Sequence, residues 1–194
     1  MKRLCVFCGS NVGARPAYAS AAREMASELC RRRLGVVYGG GGIGLMGVLA
    51  DAMLALGGEV IGVIPRPLAT KELAHPGLTE MHVVESMHER KALMTSLADG
   101  FVAMPGGLGT LEETLEVLTW SQLGIHRKPI GLLNVEGYYD GLLGMIAHGV
   151  RETFIRREYL TLFVSAETPL RLLDELETWR PPPIRGAWMD LTQT

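Results

Sequence analysis

GFVAMPGGLGTLEE, residues 100–113, decides how this chain is read: an apolar strand-like run stops at Pro105, Gly106, Gly107 and Gly109 follow, and a helix-forming stretch begins. A buried strand that breaks sharply into a helix is where phosphates bind, because the opening turn leaves N–H groups unpaired and carries the positive end of the helix dipole. The three glycines let the backbone approach a ligand closely. Glu113 directs a carboxylate back at the same spot. Thr110 and Glu113 also have the spacing of a capping box, which would make them only the finish of a helix over 110–123. A cap needs one glycine at most, so three before it suggest a backbone cleared for a ligand.

Outward from this junction, apolar β-branched runs alternate with longer amphipathic stretches. Strands are expected at 3–8, 35–38, 59–64, 80–85, 100–104 and 129–134, with LFVS (162–165) as a possible edge strand. Helices are expected at 16–33, 44–56, 86–98, 110–123, 138–153 and 167–179. This is the βαβ rhythm of an α/β, doubly wound parallel sheet with helices on both faces. Residues 65–79 form the one long irregular segment, a candidate binding loop at a strand's carboxyl end. The domain is expected to span 1–180. Residues 181–194, opened by three prolines, read as a tail.

The 194 residues suit a single domain with a substantial core, and 47% apolar with 21% charged residues is ordinary for a soluble globular protein. A net charge of −2 leaves no field to hold a nucleic-acid polymer, so small anionic ligands fit better. No apolar run approaches a membrane span, and the cytoplasm is the expected location. Three cysteines make no disulfide framework. Cys5 and Cys8 have CxxC spacing, but Cys5 falls inside a strand, so packing is the better reading and no metal is expected.

A second glycine cluster, VVYGGGGIGLMG (36–47), also joins a strand to a helix, and Gly42, Gly44 and Gly47 match GxGxxG. It follows the second strand, and the next strand ends in GVIPRP with no acidic residue, which argues against a dinucleotide site. Gly39 to Gly44 read instead as a second wall of a nucleotide pocket, with Gly41, Gly42 and Met46 as contact candidates; close packing is the alternative. The first turn adds Gly9, Ser10 and Asn11. Ser86 and Glu89 form a further capping box, which places Arg90 and Lys91 near a helix start, where the dipole disfavours cations and something anionic should compensate them. These junctions would converge at the carboxyl edge of one sheet. A mononucleotide fits the inventory: helix ends for phosphate, Arg90 and Lys91 as counter-charges, Glu72 or Glu113 for ribose hydroxyls.

PGGLGTLEE, GGGGIGLMG, MHERK and the CVFCGSN start together closely resemble the LOG family of cytokinin riboside 5′-monophosphate phosphoribohydrolases, over essentially residues 1–180. The resemblance implies a Rossmann-like homodimer that hydrolyses the N-glycosidic bond of a nucleoside 5′-monophosphate, releasing free base and ribose 5-phosphate without a cofactor; some bacterial members act on AMP. It implies Arg90 and Glu113 as the catalytic pair and Lys91 beside them. It further implies substrate contacts from Gly106, Gly107, Leu108, Gly109, Thr110, Leu111 and Glu112, and from Glu72 and Thr119. Three roles are open to Arg90: orienting Glu113, binding ribose or holding phosphate. The rival expectation is a non-catalytic nucleotide or molybdenum-cofactor carrier with similar glycine loops. The label lysine decarboxylase, also borne by such proteins, lacks support: none of Lys2, Lys71, Lys91 and Lys128 stands in a recognisable pyridoxal phosphate site.

Overall fold

A computed structural model describes residues 1–69 and 74–182. Its centre is a seven-stranded, all-parallel sheet: β1 (Arg3–Phe7), β2 (Gly35–Tyr38), β3 (Val60–Pro65), β4 (Glu80–Val84), β5 (Gly100–Ala103), β6 (Ile130–Leu133) and β7 (Val164–Ala166), in the order β4-β3-β2-β1-β5-β6-β7. The helices are α1 (Pro16–Arg31), α2 (Gly44–Ala55), α3 (Met87–Leu97), α4 (Leu108–Leu123), α5 (Asp140–Arg151) and α6 (Pro169–Thr178). The expected elements are all present within a few residues of their expected ends, and LFVS does contribute the edge strand. Short 3-10 turns at Arg66–Leu68, Val135–Gly137 and Arg157–Thr161 occupy stretches that carry no periodicity to announce them. Residues 70–73, in the expected binding loop, and the tail from 183 onward lie outside the described residues.

The sheet is covered on both faces because its central strands are apolar on both. Leu4, Val36 and Val102 pack with α1, α2 and α6 on one side; Cys5, Val37 and Phe101 pack with α3 and α4 on the other. Each is at most 1% exposed, and burying a side chain of this kind contributes roughly 2 kcal/mol. Cys5 and Cys8 belong to this packing. Burial drives both thiols up, so neither is a thiolate.

Chain order runs outward from β1 to β4 in one direction, then returns to β5 beside β1 and runs the other way. The crossovers from β1 and β5 therefore leave on opposite faces, opening a crevice above the carboxyl ends of these two strands. Gly9 ties its walls together. Its N–H donates to the Pro105 carbonyl (3.0 Å) and its carbonyl accepts from the Leu45 amide (2.9 Å), while a Cβ there would lie 3.2 Å from the Gly106 Cα. Backbone approaches backbone too closely for any other residue.

Candidate active site

α4 begins at Leu108, with Gly107 as its N-cap and no side-chain cap. Thr110 and Glu113 are thus inside the helix, and the capping box expected at 110–113 does not form. Gly109 in the first turn is a poor helix former, which is why the start reads two residues late. The first intrahelical bond is Leu111 N–H to the Gly107 carbonyl (3.1 Å), leaving the amides of Leu108, Gly109 and Thr110 directed out of the helix start. A Cβ on Gly107 or Gly109 would meet nothing within 4 Å. Those two glycines face open space.

Their space is a cavity of about 270 Å³ whose lining includes Cys8, Ser10, Gly39, Met46, Met87, Arg90, Glu113 and the residues 107–110 with Glu112. Glu113 is 8% exposed, and its Oε1 forms an ion pair with Nη2 of Arg90 at 3.0 Å. Burial pushes the Glu113 carboxyl above its usual range, and the Arg90 guanidinium opposes that rise. A buried, charge-paired carboxyl in a cavity is the mark of a functional site more often than of a stabilising one.

Arg90 reaches the cavity from α3. Ser86 caps that helix by accepting from the Glu89 amide (3.1 Å), while Glu89 Oε2 accepts from the Glu85 amide (2.8 Å) and not from that of Ser86, so only the serine half of the second expected capping box forms. The anions demanded by Arg90 and Lys91 come from α4: Glu113 for Arg90, and Glu112 (2.8 Å) and Glu116 (2.7 Å) for Lys91. Burial alone would lower the Lys91 pKa, but hydrogen bonds to Glu112 and Glu116 hold it above its usual value.

The structure brings together Arg90, Glu113, Gly107, Leu108, Gly109, Thr110, Glu112, Ser10 and Met46 around one cavity. Gly9 and Gly106 line an adjoining chamber of about 210 Å³ with Tyr18, Leu45 and Tyr138. Other candidates stand outside the lining of this cavity. Gly41 and Gly42 are turned against the following loop, where Gly41 bridges Ala74 and a Cβ on Gly42 would lie 3.3 Å from the His75 Cα. Leu111 packs toward Tyr139 and Leu132, Lys91 is held by its two carboxylates, and Thr119 is exposed on α4, its hydroxyl donating to the Leu115 carbonyl. Glu72 lies outside the described residues.

Sequence reasoning missed Met87, whose Sδ accepts from Nη1 of Arg90 at 3.8 Å, and the pair Tyr138 and Tyr139. The Tyr139 hydroxyl donates to the Met104 carbonyl (2.7 Å) and the Tyr138 hydroxyl to the Gly106 carbonyl, so two adjacent tyrosines grip the backbone on either side of Pro105. The YY pair just after a strand was the available signal.

A family model described as possible lysine decarboxylase matches residues 46–176. A cytokinin riboside 5′-monophosphate phosphoribohydrolase of Arabidopsis thaliana is 52% identical over 180 residues, 93% of this chain and 79% of that protein. The chain belongs to the LOG family. A probable LOG-family phosphoribohydrolase of Oryza sativa subsp. japonica is 51% identical, again over 93% of this chain and covering 85% of that protein. Among solved structures, the molybdenum cofactor binding protein of Rippkaea orientalis superposes with a TM-score of 0.69 over 92% of this chain and 97% of that one, at 18% identity. The molybdenum cofactor carrier protein of Chlamydomonas reinhardtii gives 0.68 at 17% identity, over 92% and 97%. At such identities the likeness shows a common fold for this LOG-family chain.

Proposed function

We propose that this protein hydrolyses the N-glycosidic bond of adenosine 5′-monophosphates, with or without an N6 substituent, releasing the free base and ribose 5-phosphate. The observation that carries this reading is the buried Arg90–Glu113 pair, 3.0 Å apart, facing a cavity whose opposite wall is the open start of α4. The amides of Leu108, Gly109 and Thr110 take the phosphate, where the dipole favours it. The ribose then lies between that loop and Glu113.

As the bond from C1′ to the base breaks, the base keeps the electron pair and positive charge spreads over C1′ and the ring oxygen. The Glu113 carboxylate stabilises that charge; a preorganised group of this kind is typically worth about 3–4 kcal/mol. Water gives its hydroxyl to C1′ and its proton, directly or by relay, to the departing base. Arg90 positions the carboxylate and keeps it ionised. Glu112 and Glu116 fix Lys91 behind the pair, so the Lys91 charge acts on Glu113 at second hand.

Lysine decarboxylation would need an amine free to form a Schiff base at this cavity. Among the described lysines, Lys91 is engaged as above, Lys128 donates to the carbonyls of Thr95 (2.6 Å) and Ala98 (2.7 Å), and Lys2 stands at the amino edge of the sheet. None offers that amine.

A homodimer pairing across α4 completes the reading. Leu108 is 85% and Leu115 45% exposed, and Thr119 continues their stripe. No helix among the described residues is long and apolar enough to cross a membrane, and the cytoplasm is the location we assign. Incubation with AMP and with isopentenyladenosine monophosphate, followed by chromatography, tests the activity: free base from at least one is expected, and none from either, at high protein concentration, leaves the carrier reading standing. Light scattering reads the oligomeric state.

A further inference from the structure

Gly39, the residue after β2, lines the cavity but does not sit in the left-handed region that would explain a glycine by conformation. Its explanation is spatial. A Cβ built on it would stand 2.5 Å from Nη2 of Arg90, 3.5 Å from its Cζ and 3.2 Å from Sδ of Met46. Nη2 is the same nitrogen that meets Glu113 at 3.0 Å. The guanidinium is therefore seated between the bare Cα of Gly39 and the carboxylate of Glu113, with Met87 Sδ against its other terminal nitrogen and its Nε buried without a partner.

We propose that Gly39 is a positioning residue: the missing side chain on β2 is what lets Arg90, arriving from α3, press Nη2 onto Glu113 of α4. The nearest obstacle to an alanine is the far end of a flexible arginine, not backbone, so the fold accommodates Gly39→Ala by moving the guanidinium aside. Stability is spared and the ion pair is not. Glu113 then keeps the burial that raises its pKa and loses the neighbouring cation that opposes the rise. This separates Gly39 from its neighbours in the same cluster. Gly44, at φ 63°, would drive a Cβ into the backbone of Ser10 and Asn11, where nothing yields.

The proposal concerns the site of the proposed hydrolysis and rests on that reading only for its kinetic arm. The test compares the wild-type protein, Gly39→Ala, Arg90→Lys and the double variant. In Gly39→Ala, the Glu113 titration followed by carboxyl NMR moves upward, the acid limb of the kcat profile moves with it, and kcat at neutral pH falls about a hundredfold, the cost of a catalytic group displaced by about an ångström. The thermal midpoint stays close to wild type. Lysine ends where the arginine Cζ lies, at ordinary contact distance from the added methyl, so Arg90→Lys costs less in the Gly39→Ala background than in the wild type.

An unchanged Glu113 titration in Gly39→Ala overturns the proposal, as does strict additivity of the two substitutions. A fall in thermal midpoint with the titration unmoved assigns Gly39 to packing. If the wild-type protein releases no base, the hydrolytic reading fails while the titration still decides the role of Gly39.

Discussion

Two glycine-rich turns lead from strand to helix at the same edge of the sheet, and they use glycine for opposite purposes. In the β5–α4 turn, Gly107 and Gly109 face empty space, and the helix start beside them has amides to offer. In the β2–α2 turn the glycines are pressed against protein: Gly40 against Ile64 and Met81, Gly42 against His75, Gly44 against Ser10 and Asn11, Gly47 against the Gly42 carbonyl. Gly106 in the first turn is itself pressed against Thr110 and Gly9, so the open space belongs to Gly107 and Gly109, whereas Gly40, Gly42, Gly44 and Gly47 all make room for the chain itself. Counting glycines does not separate the two. What stands opposite each missing side chain does.

The sharpest break between them is expected at Gly44. Gly44→Ala places a Cβ in the left-handed region and against the backbone of the β1 turn, and is expected to lose about 3 kcal/mol or more, read by urea unfolding. A wild-type midpoint there would dissolve the distinction. On the open side, Glu113→Gln is expected to cut kcat by about 10²–10³ with the helix unchanged by circular dichroism. Full activity with a lowered melting temperature would return Glu113 to a structural role.

The same carboxyl sets a pH dependence. Its native pKa is raised by burial above the ordinary value of 4.5, so between the two values the native state binds more protons than the unfolded one, and this group's contribution to stability falls as pH rises through that window. In the proposed mechanism activity runs the other way, because there the ionised form does the work: kcat is expected to fall as pH drops, with a midpoint above 4.5. A midpoint at or below 4.5 would remove Glu113 from the rate-limiting step.

Smaller effects complete the comparison. Gly107 has φ −83°, which alanine adopts freely, so Gly107→Ala is expected to change stability by no more than ~1 kcal/mol while raising KM about tenfold through crowding of the phosphate. Equal losses of stability at positions 44 and 107 would erase the contrast. Tyr138→Phe removes one hydroxyl from the Gly106 carbonyl and should cost about 1 kcal/mol, with KM raised a few-fold and kcat retained.

Alternation of β-branched and amphipathic stretches made the sheet and its six helices readable, because each element buries one or two faces whose period is written locally. Ser86 and Glu89 were readable for the same reason: their bond spans three residues. Lys91 was not. Its partners Glu112 and Glu116 lie 21 and 25 residues away on another helix, and the i, i+4 spacing of those two says nothing about which cation they meet. That Gly41 and Gly42 fold back on residues 74 and 75 was equally unreadable, a long-range closure with no local sign. The motif that carried the family also carried the cavity, while the residues that shape it, Gly39 and Met87 among them, became visible only once three elements were assembled.

The two tyrosine hydroxyls on either side of Pro105 belong to a segment, 134–139, that does not line the Arg90–Glu113 cavity but is sunk into the core at Val135 and Tyr139, and Glu136 within it holds a left-handed backbone. The shape of the β5–α4 turn is thus borrowed from the β6–α5 connection, and Tyr139, at 1% exposure, ties that connection to the core between β5 and β6. The turn is therefore as durable as the core that holds Tyr139, and its working shape should last until the sheet itself melts.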